Sequence, residues 1–212
     1  MKAERLCSPN GAVLQGPLLL TPRVFSDERG WVFESWNAQT FAALLAADGQ
    51  TPVPDFVQDN HSCSSRGVLR GLHVQLSPHA QGKLVRCVAG AIVDVAVDLR
   101  RHSPTFGQWV SGELSTANRQ QLWIPAGFAH GFLSLEDGTE VLYKTTDFWA
   151  RHCERAIHWN DPLLAINWGL DQLGLAQPLL APKDAAAPLL AEVLAAKVLA
   201  TEVLAAEDGM VG

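Results

Sequence analysis

The sequence predicts an all-β domain of the sandwich or jelly-roll class, with a short internal helix and a C-terminal helix. Three observations lead there. Turn signals recur at short intervals, at Ala89-Gly90, Ser103-Pro104, Phe106-Gly107, Pro125-Ala126-Gly127 and Asp137-Gly138, as many short strands require. From about Phe56 the hydrophobic period is two: Val93, Val95, Val97 and Leu99 share one strand face while Asp94 and Asp98 lie on the other. The chain has 212 residues, 48% hydrophobic and 18% charged, which suits one globular domain with a sizeable core.

The elements follow in order. Leu18-Leu19-Leu20, Arg23-Val24-Phe25 and Trp31-Val32-Phe33-Glu34 read as strands, the last two joined by a turn at Asp27-Glu28-Arg29-Gly30. A short helix fits 38–47, with Asn37 as its cap, Phe41, Leu44 and Leu45 on one face, and Asp48-Gly49 to end it. After Asp184 the composition turns to Ala, Leu, Val and Glu. Residues 185–206 therefore favour helix, with Leu190, Val193, Leu194, Lys197 and Val198 in one apolar stripe. No long linker divides the chain, so 1–184 is expected to form the domain and 185–212 its helical tail.

Composition excludes several classes of function. A net charge of −6 gives no general attraction to nucleic acid or to an anionic membrane, so neither is expected as a partner. No run of about 18 apolar residues offers a membrane span. Met1-Lys2-Ala3-Glu4-Arg5 has no apolar signal-peptide core behind it, and a cytoplasmic protein is expected. Cys7, Cys63, Cys87 and Cys153 are scattered without a C-x-x-C pair, which argues against zinc and a disulfide framework and suits a reducing compartment. An anionic ligand would need a local cluster of cations, for which Arg29, Arg70, Lys83 and Lys183 are candidates.

The most informative stretch is Arg70-Gly71-Leu72-His73, followed by Lys83 in Gln81-Gly82-Lys83-Leu84-Val85. An imidazole titrates near neutral pH and can take a proton from carbon beside a carbonyl. A lysine can stabilise the enolate oxygen that results. An arginine can hold a phosphate through its planar fork of donors. Each residue alone is more often structural or solvated. The sole tyrosine, Tyr143, stands in a chain with 8 Phe and 7 Trp, so its hydroxyl rather than its ring is what this position adds. A half-buried strand tyrosine with a bonded hydroxyl is the plainer alternative.

Taken together, Gln58-Asp59-Asn60, Arg70-Gly71-Leu72-His73, Gln81-Gly82-Lys83-Leu84-Val85, Pro125-Ala126-Gly127-Phe128-Ala129-His130-Gly131-Phe132 and Trp159-Asn160-Asp161-Pro162 stand in order. They resemble the motifs of the dTDP-4-dehydrorhamnose 3,5-epimerase family, over about residues 24–188. The resemblance implies a cupin-type jelly roll, or double-stranded β-helix. It implies epimerisation of dTDP-4-dehydro-6-deoxy-D-glucose at C3 and C5 without metal or organic cofactor, and a homodimer.

It further implies His73 as base, Lys83 as the enolate-stabilising cation and Tyr143 as the acid on the opposite face of the sugar. Asp184 would hold the imidazole in the correct tautomer, as a triad aspartate does; the alternative is an N-cap for the alanine-rich helix. Arg29, Glu34, Gln58, Asp59, Asn60, Arg70, His130, Glu154 and Lys183 match positions around the nucleotide and sugar. Trp149 falls where the family commonly stacks a tyrosine on thymine, and Ala181 where it usually has serine. A strand-rich arm at 18–34 would carry Arg29 and Glu34 to the neighbouring subunit.

Many cupins bind a metal through H-x-H, a glutamate and a third histidine in P-x-G-x-x-H. Here Pro125-x-Gly127-x-x-His130 remains, but His73-Val74-Gln75 puts Gln75 at the second ligand, and Gln81 and Lys83 replace the glutamate. Two imidazoles beside a cation make a poor first-row metal site. The rival readings are an enzyme that epimerises one carbon only, a nucleotide-sugar binder without turnover, and a metal cupin, which Gln75 disfavours.

Overall fold

The computed structural model describes residues 1–196. Two antiparallel sheets face each other. The first has six strands in the order β1 (Lys2–Cys7), β2 (Val13–Thr21), β10 (Gln121–Ile124), β7 (Lys83–Ala89), β12 (Thr139–Thr145) and β5 (Gln58–Ser64). The second has five, in the order β13 (Glu154–Ala156), β6 (Leu69–Gln75), β11 (Phe128–Ser134), β8 (Ala91–Asp98) and β9 (Trp109–Ser115). A separate hairpin joins β3 (Val24–Asp27) to β4 (Gly30–Phe33), with Asp27 paired to Gly30. Short strands and crossed connections give the jelly roll expected.

Three apolar layers hold these sheets. Between them, Val85, Leu122 and Val141 meet Ile92, Ala96, Val110, Leu114 and Phe128. Outside the six-stranded sheet, Leu18, Leu20, Leu84 and Trp123 are covered by Phe41 and Leu45 of α1 (Ala38–Ala47). That helix starts where expected, because the Asn37 side chain accepts hydrogen bonds from the N–H groups of Gln39 and Thr40. Outside the five-stranded sheet, Val95, Val97, Ala129 and Leu133 lie under Ile157, Trp168, Leu190 and Val193. The alternation read from β8 is thus real, but both of its faces are buried. Asp94 shares the inner face with Ile92 and Ala96 and has 0% exposure.

The C-terminal helix requires correction. Two short helices replace it, α2 (Pro182–Ala185) and α3 (Leu190–Ala195), and 186–189 is not helical. Pro188 is the cause: it lacks an N–H and disfavours the helical conformation at Ala187. Residues 197–212, including Lys197 and Val198 of the expected stripe, lie outside the described residues. Trp159-Asn160-Asp161-Pro162 has a structural purpose here. The buried Asp161 carboxylate accepts from the N–H groups of Leu163 (2.8 Å), Leu164 (3.1 Å) and Leu190 (2.6 Å), which ties α3 down over the sheet.

One close approach sets the geometry where the Arg70-Gly71-Leu72-His73 run meets its strand partner β11. At Gly71, where φ is +121°, a Cβ would lie 2.6 Å from Gly131 Cα and 2.7 Å from the His130 carbonyl oxygen. Only glycine tolerates both that φ and that contact. Gly71→Ala is expected to lose about 1–3 kcal/mol or more of stability, together with activity, because Arg70 and His73 flank it on β6. Denaturant unfolding checks this; an unchanged midpoint and rate would contradict it.

Candidate active site

A cavity of about 600 Å³ opens between the two sheets, a size suited to a small-molecule ligand. Strand side chains alternate, so β5 lends every second residue to it, while β6, whose register with β11 is irregular, lends Arg70, His73 and Gln75. The six-stranded sheet contributes Gln58, Asn60 and Ser62 from β5, Lys83 from β7 and Tyr143 from β12. The five-stranded sheet contributes Arg70, His73 and Gln75 from β6, His130 and Phe132 from β11, and Glu154 from β13. Lys183 and Asp184 of α2 and the rim residue Trp149 complete the lining. His73 and Tyr143 therefore reach the same space from opposed walls.

His73 and Asp184 form a tight pair, with Nε2 of the imidazole 2.6 Å from Asp184 Oδ1. This corrects the N-cap alternative: Asp184 lies inside α2, whose N-cap position is Ala181, and its carboxylate is turned to the histidine. Burial alone would raise the Asp184 carboxyl. The His73 hydrogen bond and charge, the Gly71 N–H and the Lys183 ammonium outweigh burial and hold it below the usual carboxylate range. An ionised carboxylate only accepts, so Asp184 fixes a proton on His73 Nε2, and in the neutral imidazole the lone pair then falls on Nδ1.

The other two central groups sit on the facing wall. Lys83 is buried, and desolvation brings its ammonium down to about 8 against the opposing pull of Glu154. No carboxylate pairs with Lys83 among the described residues. The Tyr143 phenol is raised by burial, with Arg70 pulling it down and Glu154 adding to the rise. It stays protonated at neutral pH.

Around them the polar rim is ordered by short contacts. Gln75, where a metal cupin would place a ligand, donates to the carbonyls of His79 and Phe148 and accepts from the Ala150 N–H at 2.9 Å. Gln81 donates to the Asp147 carbonyl at 2.6 Å. Both amides thus fasten the loop that carries Trp149. The Trp149 backbone N–H donates to Gln58, and its indole N–H reaches Glu154 at 3.4 Å. Glu154 also meets Lys183 at 3.4 Å. Trp149 remains 57% exposed, with its ring free for a ligand. Arg70 is steadied by Ser64 Oγ and the Cys63 carbonyl, both at 3.1 Å.

Three of the expected site residues are not brought to this cavity within the single chain. Arg29 lies on the exposed β3–β4 hairpin, bonded to Asp27. Glu34 accepts from Asn37 at 2.9 Å. Asp59 pairs with Lys144 at 3.0 Å on the outer face of the six-stranded sheet. Conversely, sequence reasoning missed Asp94, which bonds His130 at 2.6 Å, and the buried Ser62 hydroxyl, which has no partner among the described residues. The apolar face-mates of Asp94 were the available signal that it points inward.

Comparison with known proteins shows the family. A family profile described as dTDP-4-dehydrorhamnose 3,5-epimerase matches residues 12–192. A dTDP-4-dehydrorhamnose 3,5-epimerase of Pseudomonas aeruginosa is 56% identical over 184 residues, covering 87% of this chain and 93% of that protein. The crystal structure of a dTDP-6-deoxy-D-glucose-3,5-epimerase from Legionella pneumophila, in complex with dTDP-4-keto-L-rhamnose, superposes with a TM-score of 0.78. It is 45% identical and covers 90% of this chain and 94% of its own. A 3′-monoepimerase from Streptomyces bikiniensis in complex with dTDP-quinovose also superposes, with a TM-score of 0.78 and 33% identity, covering 87% and 88% of the two chains. With the profile spanning residues 12–192 and a relative 56% identical over most of both chains, this protein belongs to the dTDP-4-dehydrorhamnose 3,5-epimerase family.

Proposed function

We propose that this chain epimerises dTDP-4-dehydro-6-deoxy-D-glucose at C3 and C5 to dTDP-4-dehydro-L-rhamnose. The observation that carries the reading is the opposition of the His73–Asp184 pair and Tyr143 across one cavity that also holds Lys83. Both carbons flank the same C4 carbonyl, so one oxyanion-stabilising group serves both. His73 Nδ1 takes the proton from carbon, and the C–H electron pair moves onto the C4 oxygen. Lys83 stabilises the enolate so formed. Tyr143 then gives its proton to the other face of the same carbon, and the configuration inverts. Solvent restores the two side chains between turnovers.

The reading includes a dTDP nucleotide held by Arg70 and Lys183 at the phosphates, with Asn60, Gln58, Glu154 and His130 around the sugar. Trp149 stacks on the base, a contact supported by its exposed ring at the rim. No metal or organic cofactor takes part. Supporting this, the Gln75 amide is spent on loop carbonyls, and a buried cation stands at Lys83 where a divalent ion would need an acceptor. The chain acts as a homodimer in the cytoplasm. The hairpin bearing Arg29 exposes Phe25, Trp31 and Val32, an apolar tip suited to a second copy, and carries Arg29 and the adjoining Glu34 to that copy's site.

The second reading, inversion of one carbon only, is favoured by the fold shared with the Streptomyces bikiniensis monoepimerase. Turnover in deuterium oxide separates the readings. Two solvent deuterons, one each at C3 and C5, are expected in product; one label means a mono-epimerase, and none means a binder.

Lys83 predicts a pH limb. Its ammonium is the form that stabilises an enolate, and burial lowers it to about 8, so kcat falls as pH rises through about 8. Tyr143 is shifted upward and stays protonated through that range. Lys83→Arg should move the limb to higher pH, and Lys83→Ala should cost about 10²–10³ in kcat. A limb left near its place in Lys83→Arg would assign it to another group.

A further inference from the structure

Asp94 is not used by any step above, yet it is wholly buried and bonds a cavity residue. His130 Nε2 lies 2.6 Å from Asp94 Oδ1, while Asp94 Oδ2 has no partner among the described residues. His130 and His73 are register partners on β11 and β6, so two histidine–aspartate pairs stand side by side. Their carboxylates are held differently. Asp184 has the Gly71 N–H and the Lys183 charge besides its histidine. Asp94 has only His130 among the described residues, and burial drives its carboxyl upward despite that histidine's pull.

Charge balance then decides where the protons lie. An ionised carboxylate with a bare oxygen at 0% exposure is costly unless its charge is cancelled. Two states leave the pair neutral overall. In one, Asp94 is a carboxylic acid whose O–H donates to His130 Nε2. In the other, Asp94 is ionised against an imidazolium. Both put a proton on His130 Nδ1, which makes no hydrogen bond to the described residues while the ring lines the cavity.

We propose that Asp94 is a positioning residue that keeps His130 Nδ1 protonated, making it a hydrogen-bond donor to the sugar's C4 oxygen. His73 Nδ1, one strand away, is kept bare to act as base. The two pairs share a 2.6 Å geometry and perform opposite tasks. This deepens the epimerase reading and rests on it: His130 joins Lys83 in stabilising the enolate, and no net proton leaves the His130–Asp94 pair.

The test uses the full chain labelled with ¹⁵N-histidine, its two cavity histidines assigned by His130→Gln and His73→Gln. Long-range ¹H–¹⁵N spectra at pH 7 should show a protonated-type Nδ1 for His130 and an unprotonated-type Nδ1 for His73. Asp94→Ala should let the His130 tautomer exchange and lower kcat about 10- to 100-fold, with dTDP affinity kept. An unprotonated His130 Nδ1 in the wild-type spectrum overturns the proposal whether or not that variant folds, and so does wild-type kcat in Asp94→Ala. A protonated His130 Nδ1 in a chain without turnover would keep the proton assignment and sink the epimerase reading instead.

Discussion

The hydrogen bond between His73 and Asp184 spans 111 residues of sequence and joins the barrel wall to the C-terminal segment. Charge-assisted bonds of this kind contribute about 1.5–3 kcal/mol, more than a neutral pair. Much of the remaining structure serves to place that aspartate. Asp161 secures the start of α3, and Pro188 ends the preceding helix. Trp168, Leu190 and Val193 bury the outer face of the five-stranded sheet beneath the same segment. On the other side, the close approach of Gly71 and Gly131 allows β6 to present His73 to the cavity rather than to the core.

The second constraint is the opposition of the two sheets. Inverting a carbon requires a base on one face and an acid on the other, and no single strand or helix can provide both. A jelly roll supplies two walls with period-two side chains, each able to lend alternate residues to the space between. Burial then tunes the groups by charge type. It lowers the Lys83 ammonium and raises the Tyr143 phenol, while Asp184 is held down by its partners in spite of burial.

Much of this was legible in the sequence, for reasons that are local. Period two marked β8, Asn37 marked the start of α1, and Asp27-Glu28-Arg29-Gly30 marked the β3–β4 turn. Motif resemblance gathered His73, Lys83, Tyr143 and Asp184, which do line one cavity. What escaped was long-range. An alternating pattern separates two faces but does not say that both are covered, so Asp94 read as a polar-face residue. Helix propensity over 185–206 outweighed Pro188 in the reading, although one missing N–H breaks a helix more effectively than several alanines extend it. Arg29, Glu34 and Asp59 lie away from the cavity of the single chain, because a motif match carries residue identity but not which way a hairpin or strand face turns.

The central claim is that proton removal and proton return come from opposite walls. Tyr143→Phe keeps the ring and deletes only the hydroxyl on one wall, leaving His73, Asp184 and Lys83 in place. Stereochemical analysis of the sugar after incubation in deuterium oxide tests the claim most directly. The account predicts solvent deuterium at the carbons beside the carbonyl, at a reduced rate, with original configuration and little inverted product. Inversion at C5 at the wild-type rate would contradict it and return Tyr143 to an ordinary strand residue.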